Sequence, residues 1–328
     1  MVRKTPAFWY KDTTDWRAQA LAAPSALYAV GHAIHMATAR PKAVPVPVIC
    51  VGNITAGGAG KTPIARAVMR LIQERELARN PVFLTRGYGG TESGPVVVDT
   101  TAHNSTAMGD ESLLLSRDGA TILSRNRYDG AQFAIANGYD MIVMDDGLHN
   151  TSLHRDLNIL VIDGHHGIGN GLMIPAGPLR TPLHRGLNRA DIIIIIGNDR
   201  TNIAARIPSG KTIIHARLVA DATPQHGVNY HGFCGLGLPE KFKGTLHEAG
   251  YTLTGFTAFP DHHPYTPDDL DKLAHIVENA RLITTEKDAV RLPDDFIARH
   301  NVEILPVSIR MDDDDADRLA TAIGAIKK

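Results

Sequence analysis

Three observations predict an α/β fold built on a mostly parallel sheet with helices on both faces. Short apolar runs of strand length recur along the chain, at Val48–Val51, Val82–Leu84, Val96–Val98, Met141–Met144, Leu157–Ile162 and Ile192–Ile196. Segments with helical periodicity separate most of them, and alternation of strand and helix patterns marks βα units around a parallel sheet. Finally, the five consecutive isoleucines Ile192–Ile196 require a strand that is covered on both faces.

The front of the chain comes first. Residues Leu21–Ala39 read as a helix started or interrupted at Pro24, with Leu27, Val30, Ile34 and Ala37 on one face and Tyr28 and Met36 at its edge. Trp9, Tyr10 and Trp16 precede it. Residues 1–42 carry six Lys/Arg (Arg3, Lys4, Lys11, Arg17, Arg40, Lys42) against Asp12 and Asp15, a local balance of +4 on a chain whose net charge is −1. A limited apolar face with aromatic and cationic flanks suits a helix lying in a membrane interface; it also suits a helix docked on its own domain. No secretory signal pattern is expected, because charges interrupt the place of an apolar core. No run of 18 or more apolar residues predicts a spanning helix.

After the Pro-rich hinge Pro41–Pro47, the run Val48–Val51 has the length and β-branching of a buried parallel strand. The loop Gly52-Asn53-Ile54-Thr55-Ala56-Gly57-Gly58-Ala59-Gly60-Lys61-Thr62 follows, then helical spacing in Ile64, Val68, Leu71 and Ile72. Strand, glycine loop and helix form the context that a phosphate loop requires. Glycines let backbone N–H groups converge on phosphate oxygens, and the helix N-terminus adds partial positive charge. Thr55, Ala56, Gly57, Gly58, Ala59, Gly60, Lys61 and Thr62 are the expected ATP-binding residues. Lys61 would bridge the β- and γ-phosphates, and Thr62 would hold Mg²⁺ through its hydroxyl. The general pattern has glycine where this chain has Thr55. Deviant loops of dimeric ATPase switches place a second lysine where this chain has Ala56, which weighs against such a switch.

Carboxylates follow in order. Gly109-Asp110-Glu111 precedes the Leu-rich opening of a helical region at 110–139, where ordinary first-turn charges would also fit. Met141–Met144 followed by Asp145-Asp146 has the form of a strand that aims its terminal carboxylates at Mg²⁺ beside a phosphate loop. Arg180 follows the rigid turn Pro175–Leu179; a fixed guanidinium there would stabilise a transferring phosphoryl group. His165-His166 reads as a surface or capping feature.

From about residue 225 the texture changes. Val228–Leu236, Tyr251–Phe259 and Val302–Ile309 read as strands, and Pro267–Asn279 and Asp315–Ile326 as helices. The expected organisation is therefore a helical segment at 1–42, a phosphate-loop domain at 43–225 and a smaller α/β domain at 226–328. Asp261-His262-His263 offers an oriented acid–base pair, with either histidine eligible. Asp312–Asp315 reads as a solvated acidic helix start.

Composition narrows the classes. With 43% hydrophobic and 21% charged residues, the chain is globular rather than disordered. The near-neutral net charge gives no field for nucleic acid. Cys50 and Cys234 are the only cysteines and form no CxxC, which excludes a disulfide framework and a thiolate zinc site.

Taken together, the motifs resemble the tetraacyldisaccharide 4′-kinase family, the lipid A 4′-kinases of Gram-negative bacteria. The likeness spans nearly the whole chain: Pro24–Tyr28, Val51–Pro63, Arg86-Gly87-Tyr88, Gly109-Asp110-Glu111, Asp145–His149, Pro175–Arg180, Asp261-His262-His263 and Thr285-Glu286-Lys287-Asp288. A hydroxyl residue at position 55 is usual in that family. Two departures are visible: Ser112 stands where proline is usual, and Leu148-His149-Asn150 where the family tends to read Phe-Gln-His. Neither touches a carboxylate.

The resemblance implies transfer of the ATP γ-phosphate to the 4′-hydroxyl of tetraacyldisaccharide 1-phosphate, with ATP and Mg²⁺ as cofactors. It implies a peripheral protein at the cytoplasmic face of the inner membrane, seated through the N-terminal helix. It also implies Asp110 as the base, paired with His262; Glu111 and Asp146, with Asp145 nearby, as aids to placing Mg²⁺; and Arg180 as stabiliser of the transferring group. The alternative is a nucleotide switch or metallochaperone-type NTPase acting with a protein partner. Ala56 and the missing CxxC weigh against it. A kinase or ligase of a soluble small molecule, with a merely structural front helix, is the third reading.

Overall fold

A computed structural model describes residues 5–11, 15–276 and 280–326. Arg3, Lys4 and Asp12 of the basic front end, and the last three residues of the helix expected over Pro267–Asn279, lie outside the described residues.

The chain opens with a 3-10 turn (Ala7–Tyr10), α1 (Trp16–Ala20) and α2 (Ala22–Ala37). Next come β1 (Val48–Gly52), α3 (Lys61–Glu74), β2 (Pro81–Thr85), β3 (Val96–Val97), α4 (Ser105–Met108) and α5 (Asp110–Leu115). They are followed by β4 (Thr121–Leu123), α6 (Arg127–Ala136), β5 (Met141–Asp145), β6 (Leu157–Asp163), α7 (Leu183–Arg189), β7 (Ile192–Ile196) and β8 (Thr212–Ala220). Then come β9 (Tyr230–Cys234), α8 (Pro239–Glu248), β10 (Leu253–Ala258), α9 (Pro267–Ile276), β11 (Arg281–Thr285) and α10 (Glu286–Ala289). The chain closes with α11 (Asp294–Arg299), β12 (Glu303–Leu305), β13 (Val307–Arg310) and α12 (Asp313–Gly324).

A 9-stranded sheet runs in the order β13-β8-β7-β6-β1-β5-β2-β4-β3. Only its edge pairs, β13 with β8 and β3 with β4, are antiparallel; the interior pairs are parallel. Strand β1 is buried along its whole length, because β5 and β6 flank it and helices cover both faces. One face is sealed by α3 and α12 through Ile64, Val68, Leu319 and Ile323, the other by α6 through Ala131 and Ala134. The isoleucine run occupies β7, buried save for its last residue. Strand order reverses direction at β1, so the crevice at the carboxyl ends of β1, β5 and β6 is the place where such sheets bind ligands.

A 4-stranded parallel sheet, β10-β9-β11-β12, forms the second unit. Its two faces are packed by Phe242 and Leu246 of α8 and by Leu273 of α9 and Phe296 of α11.

The C-terminal region differs from the sequence expectation. The single strand expected over Val302–Ile309 is two strands in two different sheets: β12 pairs with β11, whereas β13 pairs antiparallel with β8. Pro306 lies between them. It has no N–H to extend a ladder, and its carbonyl accepts from Asp221 N–H at 2.9 Å as the chain crosses over. Strand β13 and helix α12, grouped by sequence with the smaller unit, thus return to the large sheet. The acidic start of α12 is only partly solvated. Asp312 caps Asp315 N–H at 2.8 Å, but Asp315 itself is buried and accepts from His215 N–H at 2.8 Å.

Candidate active site

Two glycines shape the phosphate loop. Gly57 and Gly60 have φ of 113° and 84°, the left-handed region that costs glycine nothing. Gly60 caps α3, whose first residues are Lys61 and Thr62. A second segment braces the loop in strand-like fashion. Ala56 N–H donates to Pro178 C=O at 2.7 Å, Arg180 N–H donates to Ile54 C=O at 2.7 Å, and Thr55 bridges Leu179. The Thr55 hydroxyl accepts from Asn53 Nδ2 at 3.1 Å, so a hydroxyl at this position has a structural task inside the loop.

Strand β5 delivers the paired aspartates beside it. Thr62 Oγ1 donates to Asp145 Oδ2 at 3.0 Å. Asp146, at the strand end with φ of 50°, faces Lys61 Nζ at 3.9 Å and Arg180 at 3.6 Å. Their environments push the pair apart. Burial and the neighbouring Asp146 charge raise Asp145 to about 6. Burial works to raise Asp146 as well, but Lys61 and Arg180 outweigh it and hold that carboxyl below the usual range.

Asp110 and Glu111 open α5, 5% and partly exposed respectively. Gly109 precedes them at φ of 78°, and a Cβ there would collide with the Tyr88 carbonyl. The Arg86-Gly87-Tyr88 loop therefore lies directly on the turn that aims Asp110. His262 of the second unit lies across the crevice, its Nδ1 2.8 Å from Asp110 Oδ2. His263 faces elsewhere, bonding Asp269 at 2.8 Å and stacking on Phe259. The geometry thus singles out His262 from the pair.

Three residues without a role from sequence complete this corner. Arg291 Nε lies 3.3 Å from Asp110 Oδ2. Lys287 Nζ contacts Glu111 Oε1 at 2.8 Å and His262 Nε2 at 3.2 Å. Asp288, fully buried, holds Arg291 at 2.7 Å and accepts from Gly235 N–H at 2.7 Å. The tautomer of His262 follows: a carboxylate only accepts, so Nδ1 carries the proton; an ammonium only donates, so Nε2 is the bare lone pair. Burial would lower Lys287, but Glu111 outweighs it and keeps the ammonium charged. Both partners of Asp110 sit on Oδ2, which leaves Oδ1 for another donor. Next to Lys287, Glu286 reaches Arg66 of α3 at 2.9 Å, and Arg66 also pairs with Asp118. The Thr285–Asp288 segment therefore ties the second unit to the helix that follows the phosphate loop.

The donor set suits a hard cation. Asp145 Oδ1 and Glu111 Oε2 are buried oxygens without a hydrogen-bond partner, and Glu111 lies close enough for its charge to raise Asp145. Among the described residues no group of three or more His, Cys, Asp or Glu side chains forms a cage. Mg²⁺ needs none, since it is held by one or two carboxylates together with water and substrate phosphates.

On the other side of the loop, Asp163 at the end of β6 pairs with Lys241 of α8 at 2.6 Å and His166 at 2.8 Å. Burial would raise this carboxyl, but His166 and Lys241 bring it down to about 2. Lys241 also donates to Gly58 C=O at 3.4 Å. His149 is held differently: burial and Arg180 lower it to about 4. The unfolded ring, at 6.5, then binds a proton more readily than the folded one. Its contribution to stability is complete above pH 6.5 and is lost as pH falls toward 4. Unfolding free energy is expected to drop by about 3 kcal/mol across that window, and His149→Gln to flatten the drop. Urea unfolding at stepped pH reads this directly; an unchanged slope in the variant would assign the effect to another group.

The N-terminal helix sits next to this site. Trp16, Leu27, Val30 and Ile34 are 71%, 75%, 57% and 59% exposed, whereas Trp9 is docked, its Nε1 donating to Pro175 C=O at 3.0 Å. Tyr10 packs edge-on against His166. No helix among the described residues is long and apolar enough to cross a membrane.

Comparison with known proteins gives the family and the fold. The family model described as Tetraacyldisaccharide-1-P 4'-kinase matches residues 17–325. A Tetraacyldisaccharide 4'-kinase of Paramagnetospirillum magneticum is 44% identical over 314 residues, covering 94% of this chain and 95% of that one. One from a Methylobacterium species is 43% identical over 332 residues, covering 98% of each. The crystal structure of an LpxK from Aquifex aeolicus in complex with ATP superposes with a TM-score of 0.73 at 24% identity, over 94% of this chain and 99% of that one; this likeness speaks for the fold. The chain belongs to the tetraacyldisaccharide-1-P 4'-kinase family.

Proposed function

We propose that this family member transfers the γ-phosphoryl group of ATP to the 4′-hydroxyl of tetraacyldisaccharide 1-phosphate, a step of lipid A biosynthesis. The observation that carries the reading is the convergence of a phosphate loop, a paired-aspartate strand and the Asp110–His262 pair on one crevice. A nucleotide switch has no use for a buried carboxylate oriented by a histidine from another unit.

The residues divide the work as follows. Backbone N–H groups from Gly57 to Thr62 cradle the phosphates, and Lys61 holds the β- and γ-oxygens. Thr62, Asp145, Asp146 and Glu111 would hold Mg²⁺, which would supply charge neutralisation on the phosphates. Asp110 Oδ1 accepts the proton of the acceptor hydroxyl as its oxygen bonds to the γ-phosphorus and the bond to the bridging oxygen of ADP breaks. His262, through its Nδ1–H, and Arg291 fix the orientation of that carboxylate. Arg180 stabilises the equatorial oxygens of the transferring group. Much of the acceleration comes from alignment and fixed charge.

The lipid surface is reached through α2. Its exposed row of Leu27, Val30 and Ile34 lies on the opposite side from Tyr28 and His32, which bond to the body. Burial depresses His32, and exposed Arg189 and Arg185 of α7 lie near enough to add to it; cations beside an apolar face suit an anionic lipid surface. The protein would then work as a peripheral enzyme at the cytoplasmic face of the inner membrane.

The test is direct: incubate the protein with labelled ATP, Mg²⁺ and tetraacyldisaccharide 1-phosphate in mixed micelles. Label is expected in a 1,4′-bisphosphorylated lipid. ATP hydrolysis without labelled lipid would reject the acceptor assignment.

A further inference from the structure

We infer that Thr181 and His149 are positioning residues that couple helix α2 to the phosphate loop. The inference rests on the proposed seating of α2 at a lipid surface.

The inward face of α2 is bonded to the segment that braces the loop. Ser25 Oγ donates to Met173 C=O at 2.8 Å, and Tyr28 O–H donates to Arg180 C=O at 3.4 Å. His32 Nε2 lies 3.0 Å from Thr181 Oγ1, and that hydroxyl lies 3.4 Å from His149 Nδ1. His149 Nε2 in turn lies 3.1 Å from the Asn53 carbonyl, at the mouth of the phosphate loop. Thr181 is 4% exposed, so water does not compete for its hydroxyl.

Chemistry fixes the direction of each link. A carbonyl only accepts, so His149 Nε2 carries a proton. The buried ring is neutral at physiological pH, since it does not protonate until about 4, and Nδ1 is therefore bare. Thr181 donates its single proton to that lone pair, and its oxygen accepts from His32 Nε2–H. Reversing any link would leave two lone pairs facing each other. The chain has one proton arrangement and joins α2 to the end of β1. Thr181 also follows Arg180, whose N–H bonds Ile54 C=O at 2.7 Å. Both strands that frame the loop are thus reached from one hydroxyl.

A helix clamped at a surface then favours one loop geometry. By linkage, surface binding and nucleotide binding strengthen each other by the same factor.

The experiment uses the full chain and a non-hydrolysable fluorescent ATP analogue with Mg²⁺. Its Kd is measured with and without vesicles of phosphatidylglycerol in phosphatidylcholine, and vesicle binding is measured by sedimentation. The unsubstituted protein is expected to bind nucleotide about fivefold more tightly on vesicles. Thr181→Val, nearly isosteric, is expected to retain both binding events with a ratio near one, and Thr181→Ser to restore the ratio. His32→Phe breaks the same chain from the partly exposed helix should Thr181→Val not fold. A ratio kept in Thr181→Val, or in His32→Phe where that variant replaces it, overturns the inference alone, as does vesicle binding without any ratio in the unsubstituted protein. Failure of the unsubstituted protein to bind vesicles overturns the lipid-surface reading and the inference with it.

Discussion

Asp110→Asn is expected to lower kcat by about 10³-fold while the Kd for ATP changes less than about threefold, within the range for removing a general base. The substitution is isosteric, so the geometry has reason to survive. The amide oxygen still accepts from His262 Nδ1, 2.8 Å from Asp110 Oδ2, and still lies beside the Arg291 guanidinium, whose Nε is 3.3 Å away. What disappears is the capacity of the other oxygen to take a proton; an amide NH₂ would face the acceptor hydroxyl instead. Nucleotide contacts are untouched, because Asp110 opens α5 rather than α3. His262→Asn should cost less, about 10- to 100-fold, since it removes an orienting bond and leaves the carboxylate. Steady-state transfer of label to lipid, with ATP binding by calorimetry, separates the two effects. Near-normal kcat in Asp110→Asn would remove Asp110 from the base role.

How visible these residues were in the sequence follows from the separation of their partners. The phosphate loop is local: strand, turn and helix lie within about two dozen residues, and each needs a residue type that only that context demands. Thr55 looked anomalous against the general pattern, and its reason, a bond from Asn53 Nδ2 and a bridge to Leu179, became visible only in three dimensions. Asp110 and His262 stand 152 positions apart. Local pattern alone gave Asp110 an ordinary helix-start reading, and only resemblance paired the two. Lys287 lies in a segment that carries the resemblance but has no role from it, and Arg291 carries no local signal, because a cation near a helix end is common. Thr181 is silent and His149 stands out only as a departure from the family pattern, since a hydroxyl and an imidazole acquire direction only from what they face. At the C-terminus the apolar run is extended, as its residues predict, but Pro306 marks a crossing between sheets that a one-dimensional pattern does not encode.

Replacing Lys61 by methionine should produce the other large loss, of a different kind: kcat down by about 10³-fold together with clearly weaker ATP binding, as for removal of a preorganised charge. Methionine keeps the length and apolar stem of the side chain, which is 17% exposed, so α3 should still cap at Gly60. The ammonium acts on both sides of the crevice. Toward the nucleotide it holds oxygens whose charge grows as the phosphoryl group departs. Toward the protein it lies 3.9 Å from Asp146 and helps hold down the pKa values of both aspartates. Without it the Asp145–Asp146 pair repels more strongly, and the first of them, already raised to about 6, binds a proton more readily still. The lost activity should therefore be greatest near pH 6 and recover in part at higher pH, where both carboxylates are free to serve the metal. Arginine is no substitute at this position, because its planar fork cannot occupy the space of a point charge beside the turn. A variant with near-normal ATP affinity and kcat would show that the loop binds its ligand without Lys61. A flat pH profile of the residual activity would show that the lysine acts on the phosphates and not on the aspartates.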